Sequence, residues 1–390
     1  MTEEIKNNMS KDWKEVKLSE VLELKNGERP KINDYGIIPV YGANGIMGKT
    51  NDFLIDNDFT IIVGRVGASG EIHLAKGKVW ISDNAIYSQS YKSKKIHLPF
   101  LFYSLTFKNL KQFATKTTHP IITQSFLKNL LILLPPLPEQ QKIAEILSTV
   151  DSAIEKVNQA IEKTQRLKKG LMQELLTKGI GHKEFKDTEI GRIPKEWEVV
   201  RIKDIGEVFT GKTPSTSKDI YWNGDIPFIT PEDMTGEKYV YKANRHVTFE
   251  GANQSGKILP PNTVLVVCIG STVGKVALTY KESVTNQQIN SILCKEKAHH
   301  DYVYYAISHR SFMLKNYSGV AAVPIVKKSL FEEFKIPLPQ KINEQQKIAK
   351  ILSTVDKKLE LLKKKKEKLE RIKKGLMNDL LTGKRRTKYG

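Results

Sequence analysis

The chain has 390 residues, of which 63 are Lys or Arg and 43 are Asp or Glu, so its formal net charge is +20. Hydrophobic residues make up 39% of it, which is too much for a disordered tail and enough for two or three folded domains. The positive excess favours a polyanionic partner through counterion release. No stretch approaches the ~18–20 consecutive apolar residues of a membrane helix, and the polar start MTEEIKNNMSKDW lacks the apolar core of a signal peptide. Cys268 and Cys294 are the only cysteines and both lie in apolar stretches. Two buried thiols in a chain this long point to a reducing, cytoplasmic compartment.

In chain order, short apolar runs of strand type fall at 37–40, 60–63, 79–81 and 85–87, separated by Gly, Asn and Pro clusters. A helical pattern covers 98–113, and a shorter helix opens at Ser125. Prolines 135, 136 and 138 then stop this α+β domain before a long helix. Apolar residues recur in that helix at Ile143, Leu147, Val150, Ile154, Val157 and Ile161, break at Thr164, and resume at Leu167, Leu171 and Leu175. The spacing of three and four makes a narrow seam of the coiled-coil kind. A second set of strands is expected at 226–229, 264–269, 276–278 and 289–293, followed by a helix over 302–317. A short helix opens at Ser329, where Ser329 and Glu332 have the spacing of a capping box. Pro337 and Pro339 precede a second long helix, whose seam runs from Ile348 through Leu352, Val355, Leu359, Leu362, Leu369, Ile372 and Met377 to Leu380. Lys366 interrupts it within the run 363–366.

The two long helices are copies. EQQKIAEILSTVDSAIEKVNQAIEKTQRLKKGLMQELLT (139–177) and EQQKIAKILSTVDKKLELLKKKKEKLERIKKGLMNDLLT (344–382) agree at 24 of 39 positions. The match extends outward: 13–27 resembles 197–211, and 120–132 resembles 324–336. The chain is therefore one unit written twice, a globular domain followed by a helix. The offset between copies is 184 at the tryptophans and 204 to 205 at the helices, so the second globular domain carries about 20 extra residues between Gly211 and Pro324. Boundaries follow at 1–138 for the first domain, 139–180 for its helix, 181–340 for the second domain and 341–390 for the second helix and basic tail. Neither seam can be buried by its own helix, so the helices are expected to pack on each other. Gly170 and Gly375 occupy matching interior positions, where glycine costs about 1 kcal/mol against alanine. A close helix approach or a bend would explain them.

Catalytic motifs are missing. Neither Pro-Pro pair, at 135–136 or 260–261, stands in the Asp/Asn-Pro-Pro-aromatic run of an adenine methyltransferase. Gly48-Lys49-Thr50 resembles the end of a phosphate-cradling loop, but Ala43 stands where that loop requires glycine. His299, His300 and His309 read as surface histidines without a suitably spaced carboxylate or cysteine, and no G-x-S-x-G elbow occurs. A basic, duplicated chain without such motifs reads as a binding module.

EQQKIA, ILSTVD, KKGLM and LLT, the PLP before them and the IPKEW entry at 193–197 resemble the specificity subunits of type I restriction-modification enzymes. The first copy departs in its SKDW entry, and the second in QKINEQQ after Pro339. The resemblance implies an α+β protein with two similar target-recognition domains. Each would read one half of a split, asymmetric site on double-stranded DNA. The two long helices would form an antiparallel coiled-coil spacer with pseudo-twofold symmetry. It also implies two modification (methyltransferase) subunits and motor-nuclease restriction subunits as partners, which would hold the S-adenosylmethionine, ATP and Mg. No catalysis, cofactor, metal or membrane contact would belong to this chain.

Base readout needs Arg or Lys for guanine, Asn or Gln for adenine, and short polar side chains elsewhere. The candidates in the first domain are Lys25, Arg29, Lys31, Tyr41, Asn44, Lys49, Arg65, Ser69, Asn84, Lys116 and Thr118. Those in the second are Lys212, Thr213, Ser215, Thr216, Lys218, Thr230, Glu232, Asp233, Ser271, Thr272, Lys275, Gln287 and Gln288. The glycine-rich loops 64–70 and 270–275 stand in equivalent places, where backbone could approach phosphate. Two rival readings are a stand-alone nuclease or methyltransferase with degenerate motifs and a coiled-coil scaffold that never touches DNA. Methylation by the chain alone would favour the first, and loss of salt-dependent DNA binding the second.

Overall fold

The computed structural model describes residues 12–115, 118, 120–318 and 324–387. The first domain contains β1 (Lys14–Lys17), α1 (Leu18–Val21), β2 (Leu22–Asn26), β3 (Ile38–Gly42), β4 (Gly45–Thr50), β5 (Ile55–Gly64), β6 (Ile72–Ile81), β7 (Ala85–Tyr91), α2 (Leu98–Phe107), α3 (Gln124–Asn129) and β8 (Leu131–Leu134). Six strands form one sheet in the order β2-β7-β5-β6-β3-β4, while β1 pairs with β8. Alternation along β5 explains the layering. Ile61 and Val63 join Leu98, Leu101 and Leu105 of α2 in one cluster, whereas Ile62 joins Val79, Ile81 and Tyr87 in another.

The first long helix, α4 (Leu137–Leu175), leads to β9 (Phe185–Thr188), β10 (Gly191–Pro194), β11 (Trp197–Arg201), α5 (Ile202–Ile205), β12 (Gly206–Thr210), β13 (Trp222–Ile229), β14 (Tyr239–Val240) and β15 (Arg245–Val247). Next come α6 (Phe249–Gln254), β16 (Val264–Val267), β17 (Val276–Thr279), β18 (Val284–Thr285), β19 (Ile289–Cys294), α7 (His300–Leu314), α8 (Lys328–Glu332), β20 (Lys335–Pro339) and the second long helix, α9 (Ile342–Leu381). The main sheet here is β12-β19-β16-β17-β14, beside a three-stranded sheet β15-β13-β18. Strands β11 and β20 pair as β1 and β8 do. Strands β15-β13-β18 pair as β4-β3-β6 do, antiparallel and then parallel, so β14 and α6 are what the first domain lacks.

By compactness the chain divides into two units, 1–158 with 364–390 and 159–363. Each unit therefore holds one globular domain, the beginning of the helix that follows it and the end of the other helix. In the first unit Ile143 and Leu147 pack with Met377 and Leu380. In the second, Leu171 and Leu175 pack with Ile348 and Leu352. Rising numbers in α4 meet falling numbers in α9 within each unit, so the helix segments there are antiparallel.

The repeated motif residues tie each domain to its helix, and they do so identically in both units. Trp13 donates its indole N–H to Glu139 at 3.1 Å, and Trp197 donates to Glu344 at 3.3 Å. Gln140 accepts from the His97 backbone N–H at 2.8 Å and donates to the Lys95 and Pro135 carbonyls at 3.0 and 2.8 Å. Gln345 repeats this with His299, Lys297 and Pro339 at 2.7, 3.0 and 2.9 Å. Tyr103 donates to Asp151 at 2.8 Å and Tyr305 to Asp356 at 2.6 Å. Those carboxylates pair with lysines from the other helix, Lys373 at 2.6 Å and Lys168 at 2.5 Å. Burial and the neighbouring carboxylate push both tyrosine hydroxyls well above their usual range. The Glu and first Gln of EQQ, the Asp of STVD and the first Lys of KKG are thus joint residues.

Several local expectations change. The apolar series is interrupted at Thr164 without opening the seam: α4 is continuous, as expected, and Thr164 is buried there, returning its hydroxyl to the Ala160 carbonyl at 2.7 Å. The expected helix 98–113 ends at Phe107 and restarts as a 3-10 turn, Leu110–Phe113, after Asn109 at φ +50°. The 302–317 pattern begins earlier, at His300, and ends in a 3-10 turn, Lys315–Ser318. Ser329 does not cap: Lys327 is the N-cap, Ser329 lies inside α8, and Glu332 pairs with Lys328 at 3.6 Å. The shorter helix of the first domain opens at Gln124, capped by Thr123, which accepts from the Phe126 N–H at 3.1 Å. Nothing lies within 4 Å of a Cβ placed on Gly170 or Gly375, so no close approach within this chain requires either glycine. Leu167 and Ile372, equivalent seam positions, are exposed. Burial pushes both free thiols, Cys268 and Cys294, up to about 12, which leaves them unreactive. No helix among the described residues is long and apolar enough to cross a membrane.

Gln140→Ala would take a partner from the part-buried His97 N–H and Lys95 carbonyl and from the buried Pro135 carbonyl. At about 1 kcal/mol or more for each lost partner, it should destabilise the first domain by about 3 kcal/mol. Urea unfolding followed at Trp13 and Trp80 measures this, and a loss below about 0.5 kcal/mol would contradict the joint's role.

Candidate nucleic-acid interface

In the first domain the ends of five strands meet at one edge of the sheet. Gly64 at the end of β5 pairs with Ala85 at the start of β7, and Tyr41 of β3 pairs with Ile81 at the end of β6. Gly27, just past β2, donates to the Ala85 carbonyl at 2.9 Å, and Arg65 donates its N–H to the Asn84 carbonyl at 2.8 Å. The Arg65 carbonyl accepts from Ile122 at 3.0 Å. Segments 27–29, 43–44, 64–70, 82–84 and 120–122 therefore cluster, bringing Arg29, Asn44, Arg65 and Asn84 to one edge. Lys25 is exposed on β2, beside this cluster.

Other candidates lie elsewhere or are engaged. Lys49 is on edge strand β4 opposite Pro39, and its carbonyl accepts from Asn33 at 2.8 Å. Lys31 and Lys49 therefore flank the outer edge, away from the strand ends. Tyr41 is half-buried 6.3 Å from the His73 ring, and burial raises its hydroxyl pKa. Ser69 is buried, with its hydroxyl donated to the Arg65 and Pro120 carbonyls, so it orders the loop. Thr118 is exposed, and Lys116 lies outside the described residues.

The second domain rebuilds this edge bond by bond. Cys268 donates to the Gln288 carbonyl as Arg65 does to Asn84, both at 2.8 Å. Val326 donates to Cys268 as Ile122 does to Arg65, and Gly274 to Val267 as Gly70 to Gly64. The glycine loops are equivalent, with one extra residue in the second. Gly70 (φ +84°) and Gly274 (φ +91°) are required for space as well as conformation: a Cβ would stand 2.5 Å from Lys111 N in one and 2.9 Å from Ser311 O in the other. The match places Arg65 opposite Cys268, Asn84 opposite Gln288, and Glu71 opposite Lys275.

A cleft of about 470 Å³ opens beside this loop, lined by Thr230, Pro231, Glu232, Asp233, Asn244, Arg245, Gly270, Ser271, Thr272, Lys275, Asn286 and Gln288. Seven sequence candidates thus converge: Thr230, Glu232, Asp233, Ser271, Thr272, Lys275 and Gln288. Asp233 is buried, and its carboxylate accepts from Thr230 N, Thr230 Oγ1 and Asn244 N at 2.8, 2.9 and 2.9 Å, so it shapes the cleft. Lys275 reaches the Pro231 carbonyl at 3.3 Å, and the Asn286 amide donates to Gln288 at 2.9 Å. Thr213 donates to Gln287 at 2.7 Å, which attaches the 212–218 loop to the glycine-loop side. Ser215 bonds Ser217, and its carbonyl accepts from the Trp222 indole at 3.0 Å. Lys212, Thr216 and Lys218 are exposed on the same loop, with Lys218 5.6 Å from the Tyr221 ring. Asn244, Arg245 and Asn286 were not among the sequence candidates. A lone Arg-His at 245–246 carries no motif, and its neighbour in space, Trp222, is far away in sequence.

His299, His300 and Asp301 place ligand-type atoms within 4.8 Å of one another. They are half-buried, and the sequence reading of surface histidines without a nearby carboxylate does not hold for this pair. Burial lowers both imidazole pKa values. Lys238 pairs with Asp301 Oδ2 at 2.8 Å, whereas Asp301 Oδ1 and His299 Nδ1 are buried without a hydrogen-bond partner among the described residues.

Each unit is an α+β domain packed against segments of the two long helices. The model of the type I restriction modification DNA specificity domain matches residues 10–164 and 194–371. The specificity subunit of the type I restriction enzyme MjaVIII from Methanocaldococcus jannaschii is 30% identical over 97% of this chain and 94% of its own length. That of EcoR124I/EcoR124II from Escherichia coli is 35% identical over 44% of this chain and 42% of its own. The crystal structure of a type I restriction-modification S subunit from M. genitalium shares the fold, with TM-score 0.68, 19% identity and coverage of 96% of this chain and 98% of its own. This chain belongs to the family of type I restriction-modification specificity subunits.

Arg65 is half-buried at the strand-end cluster and has no ion pair among the described residues. Arg65→Ala should weaken duplex binding by the full chain severalfold and reduce the salt slope by about 1 if the contact is to phosphate. Salt-titrated anisotropy reads both, and unchanged affinity would remove Arg65 from the interface.

Proposed function

We propose that this chain is the DNA-recognition subunit of a type I restriction-modification complex. Each globular domain reads one half of a split duplex site. The domains differ in sequence, so the site is asymmetric. The two long helices act as an antiparallel spacer of pseudo-twofold symmetry; a helix of ~40 residues is about 60 Å long. Two reading heads on one face of B-DNA engage half-sites about one turn, ~34–36 Å, apart. Two modification subunits bind this chain and methylate adenine, and restriction subunits join for ATP-driven cleavage. S-adenosylmethionine, ATP and Mg belong to those partners, and this chain performs no chemistry.

The observation that carries this reading is the doubled joint. Trp–Glu, Gln–backbone and Tyr–Asp–Lys contacts recur with matched geometry in both units. The strand-end loops that each joint supports carry different side chains. A constant joint with variable loops suits a protein that fixes spacing and varies sequence preference. The +20 charge supplies the sequence-independent attraction.

Inserting four residues, one helical turn, into each long helix, after Asn158 and after Lys363, should widen the gap between half-sites while leaving each half-site sequence intact. Mapping methylated adenines in cells carrying the variant subunit with its modification partners reads the gap directly. An unchanged gap with full activity would refute the spacer role.

A further inference from the structure

We infer that Arg245 reads a guanine in the half-site of the second domain, held for that task by Trp222. The inference rests on the proposed DNA-recognition role and names the base that the cleft takes.

The Arg245 guanidinium carbon lies 3.7 Å from the centre of the Trp222 ring and 5.7 Å from that of Phe228. Stacking at this distance holds one face of the group against the indole and leaves its N–H edge free. Trp222 is itself fixed: it is buried, its indole N–H is bonded to Ser215, and its ring meets Phe228 edge-on at 5.3 Å. The backbone of Arg245 is pinned twice. It pairs with Phe228 in the β13–β15 ladder, and the preceding N–H, of Asn244, is bonded to buried Asp233. Arg245 is exposed, and it has no ion pair among the described residues. A strongly charged fork is thus pre-aimed at the cleft without an internal partner.

The composition of the cleft selects a base edge over a phosphate. A phosphate subsite gathers cations and backbone N–H groups. Here Arg245 shares the lining with the exposed carboxylate Glu232 and with Thr230, Ser271 and Gln288. A free carboxylate repels phosphate but accepts from the N4 amino group of cytosine. Guanine presents O6 and N7 side by side in the major groove, the acceptor pair that a guanidinium fork fits. One wall therefore offers the donors for guanine and another an acceptor for its paired cytosine.

The test is binding selection by the full chain, with its modification subunits, on a duplex pool randomised over both half-sites. Arg245→Gln should keep the thermal midpoint and the half-site of the first domain, and should lose about tenfold or more of the preference for guanine at one position of the second half-site. Arg245→Lys should keep the charge yet lose much of that preference, because an ammonium lacks the fork. An unchanged second half-site, or an equal loss on every sequence, would overturn the assignment and leave the recognition role standing. Absence of any selected sequence with the unaltered protein would overturn the recognition role instead.

Discussion

Everything in this molecule depends on a Glu-Gln pair at the start of each long helix, buried in the first copy and with only its glutamate partly exposed in the second. Glu139, Gln140 and Gln345 are fully buried, a position that an acid or amide tolerates only when its polar atoms are bonded. Both amides achieve this by clamping one backbone N–H and one carbonyl of the loop before the domain's helix and one carbonyl just before the long helix. Glu139 takes the Trp13 indole and, from the basic tail, the Arg386 fork at 2.7 and 2.8 Å. Glu344 takes the Trp197 indole and His182, from the segment after α4, at 2.8 Å. Removing one partner of such a buried charge costs far more than the contact's net contribution. The joint is therefore stiff, and a stiff joint is what a fixed geometry between domain and helix requires.

Around the joint, backbone is kept and side chains vary. The glycine loops share three backbone hydrogen bonds, yet they present Arg65 against Cys268 and Glu71 against Lys275. The sheet edges share the bond that presents Asn84 against Gln288. The second copy adds β14 and α6, and its β13–β15 pair, the counterpart of β3–β4, carries the Trp222–Arg245 stack beside the cleft. Divergence confined to such edges changes what is contacted without disturbing the core beneath, where Ile61 and Val63 in one domain and Val264 and Val266 in the other pack under their helices.

The sequence disclosed the duplication, the α+β class and the helix seams, because these are written in local period and in repeated words. It placed Arg65 and Asn84, and the Glu232, Lys275 and Gln288 group, in plausible loops, but it could not show that two clusters form. It misjudged features set by tertiary context. Thr164 looked like a gap in the seam, though not in the helix, because a hydroxyl reads as polar, whereas it is buried there with its hydroxyl bonded to Ala160. Ser329 had capping-box spacing, but the chain turns two residues earlier, at Lys327. Strands β1 and β8 pair across more than a hundred residues and carry little alternation of their own. Arg245 was invisible for the same reason: its function depends on Trp222, which only the fold brings beneath it.

The central claim is that two unlike reading domains are held at a fixed separation on one duplex. Single-molecule mapping of methylated adenines across a genome that carries this subunit with its modification partners tests it most directly. The account predicts two different short motifs separated by a constant number of unspecified bases, with one modified adenine in each. A single uninterrupted motif, or the same two motifs at variable separation, would contradict it.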